Sequence, residues 1–426
     1  MPAFRAPRGT SDILPEDQPY WAFVAEAGAR VASRFGYRRI ETPTFEPTRL
    51  FERGVGDETD IVQKEMYTFE DHAGESLTLR PEGTASVCRS YIQHGMRNLP
   101  QPVRLFYDGP MFRYERPQAG RFRQFHQFGV EAIGDPSPEI DAEIIEMGWM
   151  FLQELGISDI TLRINSLGDP DDRDPYSAAL GEYYSQHLES LPKEAQDRLK
   201  RAPLRLLDSK DPRLQELAGD APRSLDYMGE ESRAHWERLL SLLDGLKPVY
   251  PDLNYVVDHR LVRGLDYYNR TVFEIEPRDA GGQSTLLAGG RYDPLVEILG
   301  GDPAPGIGFA AGLERLILGL KEQETPIPET PPIDVVVVRP GDTERERAAQ
   351  AAAALRARGL SVVVAPARSM RAQLRYADSL SAQYALILGD RELERGKATL
   401  KPLDGSGEQS EVALDPAAIC EAVTHH

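Results

Sequence analysis

The sequence predicts an α+β fold in which an antiparallel sheet is flanked by helices, interrupted by a helical insertion and followed by a small α/β domain. Three observations carry this. Short strand-like runs joined by turns recur through the first third of the chain and return near residue 254. Between them, residues 168–254 lose the strand pattern and show amphipathic helical stretches with Asp/Pro-rich joints. After residue 332 the texture becomes β-α-β-α-β, the order that produces a largely parallel sheet.

Taken in order, residues 21–35 read as a helix with Phe23, Val24, Ala27 and Val31 on its apolar side. Residues 66–70 and 76–80 form a hairpin about a His-Ala-Gly-Glu turn. Residues 103–107, 111–114 and 124–133 continue the strands, and 139–155 is a long helix. In the insertion, 176–188 and 233–243 carry helical spacing. Strands return at 254–258, 270–276, 284–289 and 306–310, and a helix over 313–320 closes the region. The segment KEQETPIPETPP (321–332) has little to bury and reads as an extended linker. Beyond it, strands are expected at 334–339, 361–365 and 384–389, with helices over 343–358 and 370–380. The first strand of this set, DVVVVR, is apolar at every central position, as expected when both faces are covered. The expected domains are therefore 1–167 and 255–320, two parts of one sheet domain, with the insertion at 168–254, the linker at 321–332 and the α/β domain at 333–426.

Composition narrows the function. With 41% hydrophobic and 27% charged residues, the chain of 426 residues is globular in composition. Its net charge of −19 argues against a protein that coats nucleic acid by bulk charge. The charge is uneven, however. Residues 345–401 hold 11 basic and 5 acidic side chains, a local surplus that leaves room for selective contact with one RNA. Cys88 and Cys420 form no CxxC pair, which makes a reducing cytoplasm the expected compartment. The first dozen residues lack the apolar core of a signal peptide, and no apolar run approaches membrane-spanning length, so no membrane partner is expected. The eight histidines make no HxxxH or HExxH pattern, so no zinc and no metal held by protein side chains is expected.

Four constellations could carry chemistry. In RYERPQAGRFRQFHQFGVE (113–131), Arg113 ends a strand, Pro117 and Gly120 mark a loop, and Arg116, Arg121 and Arg123 surround it. The returning strand places Phe125, Gln127, Gly129 and Glu131 on one face by its period of two. Cations gathered at one end of a two-stranded platform suit a polyanion such as a nucleotide triphosphate. A solvated charged hairpin is the plainer alternative, and polar groups at alternate strand positions weigh against it. RLVRGLDYYNR (260–270) compacts Arg263, Asp266, Tyr267, Tyr268 and Asn269 between two strands, as a site or as a β-turn with packed tyrosines. The Gly-rich stretches GGRYD (289–293) and GIGFAAGLER (306–315) permit close approach of a ligand to the backbone. They place Arg315 in the first turn of a helix, where the dipole disfavours a cation unless an anion compensates. Neither a dinucleotide GxGxxG unit nor a Walker A loop is present. In LRPEGT (79–84), a turn ending a strand can aim Glu82 into a site, or be a turn and nothing more.

Together these motifs resemble the histidyl-tRNA synthetases, a family of class II aminoacyl-tRNA synthetases. RRIETPTF (38–45) is similar to the class's motif 1, 112–131 to motif 2 and 306–315 to motif 3, while LVRGLDYY (261–268) and AGGRYD (288–293) resemble the two signatures peculiar to the histidine enzymes. The resemblance covers nearly the whole chain and implies a class II synthetase sheet with a C-terminal anticodon-binding domain. It implies an enzyme that activates histidine with ATP, releasing pyrophosphate, and transfers it to the 3′ end of histidine tRNA, with Mg²⁺ bridging phosphate oxygens. It further implies a homodimer with Pro43 at the interface. By the same resemblance, Arg113 and Arg315 would grip the α- and γ-phosphates, and Glu115 and Arg121 would help hold the nucleotide. Arg263 would supply the charge beside the α-phosphate and the histidine carboxylate. Glu82, Thr84 and Gln127 would hold the α-amino group; Glu131 and Tyr268 would bracket the imidazole with Tyr292 nearby; Arg116 and Gln118 would reach the acceptor end of tRNA. The non-catalytic regulatory paralogue of ATP phosphoribosyltransferase is the alternative, set against an intact LVRGLDYY signature and a complete C-terminal domain.

Overall fold

The computed structural model describes residues 4–56, 59–117, 120–209, 211–278, 285–328, 331–339, 345–405 and 407–424. Gln118, parts of the expected strand at 284–289, of the linker and of the helix at 343–358, and the final histidines lie outside the described residues. The chain forms two compact units, Met1–Ile327 and Pro328–His426.

In the first unit the strands are β1 (Arg38–Arg39), β2 (Phe45–Pro47), β3 (Tyr67–Glu70), β4 (Ser76–Leu79), β5 (Val103–Phe112), β6 (Gln124–Ile133), β7 (Ile160–Ser166), β8 (Tyr255–Val257), β9 (Asn269–Pro277), β10 (Leu287–Arg291) and β11 (Gly306–Gly312). Eight of them make one sheet in the order β1-β5-β6-β11-β10-β9-β7-β8, and β2-β4-β3 make a small second sheet. The large sheet is antiparallel except at its edges, where β1 pairs with β5 and β7 with β8 in parallel. A parallel pair needs a long crossover. Between β7 and β8 the helical insertion supplies it, with helices Pro170–Ser185, Lys193–Arg201, Pro212–Gly219 and Glu230–Leu246.

The backing helices follow from the apolar spacing. Val24, Ala27 and Val31 of helix Gln18–Arg34, Ile144 and Phe151 of helix Pro138–Glu154, and Leu316 and Leu320 of helix Leu313–Glu322 share one cluster with Phe128 and Phe309 of the sheet. A second cluster joins the insertion (Tyr176, Leu180, Leu206, Leu214) to Leu261, Val262, Tyr267 and Tyr268. The insertion therefore shares its core with the LVRGLDYY segment.

Two differences from the sequence expectation have plain causes. The strands expected at 103–107 and 111–114 are one strand, β5, which runs through Gly109 and Pro110 and ends at Phe112, short of residues 113 and 114. Proline is tolerated there because β1 reaches only Leu105 and Phe106, leaving one side of β5 unpaired at Pro110. The alternating ITLRINS stretch, unassigned from sequence, is β7.

The second unit contains β12 (Val335–Val338), β13 (Val362–Val364), β14 (Tyr384–Ile387), β15 (Lys397–Pro402) and β16 (Ser410–Ala413), in the order β13-β12-β14-β15-β16. The first three are parallel; β15 and β16, missed in the sequence, are antiparallel. Val335 and Val337 enter a different cluster from Val336 and Val338, so β12 is buried on both faces. Helices Arg345–Arg356 and Pro416–Thr424 cover one face, and Met370–Ser379 covers the other.

Candidate active site

The centre of the large sheet builds a cavity of about 320 Å³. Strand β6 runs between β5 and β11, with Glu131 opposite Leu105 and Gly308, and Gly129 opposite Tyr107. The period of two brings Gln127 and Glu131 into this cavity. Glu82 and Thr84 enter from the turn after β4, Arg263 and Tyr268 from the segment before β9, Tyr292 from the end of β10, and Arg315 from the first turn of helix Leu313–Glu322. Arg113, Glu115 and Arg121 enter the lining from the β5–β6 connection. Arg116 is exposed and does not line it, and Pro43 is exposed between β1 and β2.

The closed end is built around Glu131, which is 1% exposed. Its Oε1 accepts from the Thr84 hydroxyl at 2.7 Å and from the Tyr107 hydroxyl at 3.3 Å, and its Oε2 accepts from the Tyr292 hydroxyl at 2.6 Å. Burial pushes the Glu131 carboxyl up to about 8, against the opposing pull of these hydroxyls. A Cβ at position 308 would collide with Glu131 Oε2, so glycine there is a requirement of the site. Glu82 accepts from the backbone N–H groups of Thr84 (2.7 Å) and Ala85 (2.9 Å), capping helix Thr84–Gln93, and burial raises its pKa as well. The Thr84 hydroxyl is engaged by Glu131 and Tyr292 donates to the same carboxylate, so both act on Glu131 directly. Gln127 Oε1 is buried with no partner among the described residues, an acceptor ready for a donor.

The other end is cationic. Arg113 is braced by its Nε on the Pro81 carbonyl (2.9 Å) and lies over the Phe125 ring at 5.3 Å. Arg121 pairs with Glu115 at 3.1 Å. Arg315 donates to the carbonyls of Thr285 (2.9 Å) and Gly120 (3.3 Å) rather than to a carboxylate, among the described residues. Burial, then Arg121, lowers its pKa, the signature of a cation short of countercharge. Arg263 is paired with Glu274 and lies over the Tyr268 ring at 5.7 Å, with its Nε buried and unpartnered among the described residues.

Sequence reasoning missed Tyr107 and Glu274. Tyr107 faces Gly129 across the β5–β6 pair, which shows only once the two strands are in register, and Glu274 became legible only once β9 was placed beside β10. The AGGRYD arginine, Arg291, lies outside the cavity. It is fully buried against Asp141 and Asp293 and donates to the carbonyls of Asp135 and Ser137, which makes it a strut rather than a ligand.

A buried, hydroxyl-bound carboxyl at one end and arginines at the other can receive a small donor-bearing molecule joined to a polyphosphate. Known proteins share the sequence and the fold that hold this cavity. A family model described as Histidyl-tRNA synthetase matches residues 9–316, and one described as Anticodon binding domain matches residues 334–418. The histidine--tRNA ligase of Dehalococcoides mccartyi is 50% identical over 419 residues, covering 98% of this chain and 99% of that relative. That of Geobacillus kaustophilus is 48% identical over 420 residues, covering 98% and 97%. The solved structure of apo S. aureus histidyl-tRNA synthetase is similar with a TM-score of 0.80 at 38% identity, covering 98% of this chain and 99% of that one. Matched along both of its units, the chain belongs to the histidyl-tRNA synthetase family.

Proposed function

We propose that this protein activates histidine with ATP, forming histidyl-adenylate and pyrophosphate, and then transfers histidine to the 3′ end of its tRNA. The observation that carries the reading is the polarity of the cavity: Glu131 among hydroxyls at the closed end, and Arg113, Arg263 and Arg315 at the other. Neutral imidazole has one donor and one acceptor. Glu131 takes the donor, and the Tyr268 phenol faces the opposite ring nitrogen. An apolar analogue would offer neither group a polar partner and would exclude water from both, and so be rejected. Gln127 Oε1 and Glu82 receive the α-amino group, with Thr84 steadying the Glu131 carboxylate.

The nucleophile, the histidine carboxylate, is already ionised, so no enzymic base is required. Catalysis is then positioning and charge stabilisation during in-line attack on the α-phosphorus. Arg113 and Arg263 are the catalytic residues, beside the α-phosphate; Arg315 holds the γ-phosphate, and Glu115 and Arg121 fix the nucleotide. Among the described residues no group of three or more His, Cys, Asp or Glu could cage a metal, and the carboxylates Glu115 and Glu274 in the lining are paired with Arg121 and Arg263. That donor set fits Mg²⁺ carried mainly on phosphate oxygens and water. When bound, the ion supplies charge neutralisation on the polyphosphate.

Arg116, which is exposed, and Gln118, two residues on in the sequence, meet the acceptor end of tRNA in this reading, and residues 333–426 the anticodon. A homodimer with Pro43 at its interface and a cytoplasmic location complete the proposal. No helix among the described residues is long and apolar enough to cross a membrane.

The test is ATP–pyrophosphate exchange measured with every amino acid in turn. Exchange stimulated by histidine alone is the expected result. Folded protein giving no exchange with any amino acid would return the chain to the regulatory alternative.

A further inference from the structure

Tyr268 hangs from an irregular piece of backbone. The pairing of β9 with β10 shifts register between Gly290, opposite Val272, and Arg291, opposite Asn269. Within that irregularity Arg270 has φ +43°, a left-handed conformation that a side-chain-bearing residue rarely adopts. Strain of this kind persists only where surrounding contacts over-determine it. Here the contacts come from the entry of the helical insertion. Arg270 grips Asp169 with two parallel hydrogen bonds, Nε to Oδ1 at 2.7 Å and Nη2 to Oδ2 at 2.8 Å. Its backbone N–H donates to the Gly168 carbonyl at 2.8 Å, and its carbonyl accepts from the Leu167 N–H at 2.8 Å. Asp169 is itself fixed as the N-cap of helix Pro170–Ser185, in a reciprocal capping box with Asp172. One turn on, Arg173 donates to the carbonyls of Asp266 (3.2 Å) and Tyr268 (3.4 Å).

None of Asp169, Arg173 and Arg270 lines the substrate cavity, whereas Tyr268 does. The Tyr268 ring lies so close over Gly290 that a Cβ there would stand 2.9 Å from it, so the ring tolerates little displacement. Its neighbour is pinned as well: Asp293 accepts from the Asn269 amide at 3.2 Å and its N–H donates back to Asn269 Oδ1 at 2.9 Å.

We propose that Arg270 and Asp169 are positioning residues for amino-acid recognition: the first turn of the insertion holds Arg270 in left-handed backbone, and that backbone aims Tyr268 at the substrate side chain. The proposal rests on the assignment of Tyr268 to the imidazole. It makes the insertion part of the machinery that selects histidine.

The experiment is histidine-dependent ATP–pyrophosphate exchange in the full chain, titrating histidine and ATP separately. Arg270→Ala loses the grip on Asp169 and disfavours the left-handed backbone. It is expected to raise the histidine KM by about tenfold or more while the ATP KM changes by less than about twofold. Arg270→Gly loses the same grip but accepts φ +43°, so its histidine KM is expected to fall back at least about threefold from that of Arg270→Ala. A role confined to anchoring the insertion predicts the reverse, because glycine adds flexibility and restores no contact. The proposal is overturned if both KM values move together in Arg270→Ala, if neither moves, or if glycine is no better than alanine. Should Arg270→Ala not fold, Asp169→Asn replaces it, and an unchanged ratio of histidine KM to ATP KM in that variant overturns the proposal equally. Tyr268→Ala separates the two layers. If it leaves the histidine KM unchanged, the assignment of Tyr268 fails and the proposal with it. If it raises that KM and Arg270→Ala does not, only the proposal falls.

Discussion

Glu131 concentrates the chemistry of the site in one side chain. Its carboxyl keeps a proton up to about 8 in the folded protein, against an ordinary value of 4.5. The folded state therefore binds more protons than the unfolded state across that window, and this residue's contribution to stability falls as pH rises through it. Glu131→Gln cannot ionise. In the ligand-free protein its melting temperature relative to wild type should improve between about pH 5 and about pH 8.5, while histidine activation is lost. A melting difference that does not change with pH would show that Glu131 titrates normally. Arg263→Ala should slow adenylate formation by at least ~100-fold, the scale of losing one preorganised electrostatic group, read by single-turnover kinetics. Near-normal rates would remove Arg263 from the mechanism. At this scale the alternation QFHQFGVE made Gln127 and Glu131 legible as a same-face pair. Tyr107 was not legible, because an aromatic residue in a strand looks like core until its hydroxyl partner, 24 residues on, is known.

Elements with a strong period were legible close to their ends: the helix expected at 139–155 is Pro138–Glu154, and the strand expected at 124–133 is Gln124–Ile133. Those that depend on a distant partner were not. Strand β7 went unassigned, and its place is set by β9 on one side and β8 on the other. Strands β15 and β16 are polar enough to pass for a loop, and only their pairing in the sheet edge declares them. The strut that ties β10 to helix Pro138–Glu154 is the Arg291–Asp141 pair, with both side chains at 0% exposure. Removing Asp141 leaves the buried Arg291 with Asp293 as its one remaining carboxylate among the described residues, and takes from His235 and Thr271 the acceptor they share. Asp141→Ala should cost about 3–5 kcal/mol, seen as a lowered denaturation midpoint. A loss below about 1 kcal/mol would mean that the site relaxes or admits water.

For the whole molecule, charge and function divide along the same lines. The acidity of the chain limits indiscriminate binding to nucleic acid, and residues 345–401, with 11 basic and 5 acidic side chains, escape it. Deleting residues 333–426 should therefore reduce tRNA charging at least about tenfold more than it reduces histidine-dependent exchange. Equal losses would show that the second unit mainly supports the fold of the first. The order of the large sheet also has a consequence on the ribosome. Tyr292, which closes over Glu131, follows it by 161 residues, and the Gly308 strand that lies beside Glu131 is translated later still. A nascent chain displays the motif 2 hairpin early but has no sealed pocket around Glu131 until β11 has left the exit tunnel. During synthesis, free histidine cannot stabilise the growing domain through this pocket; only a nearly finished first unit can be rewarded by its own substrate.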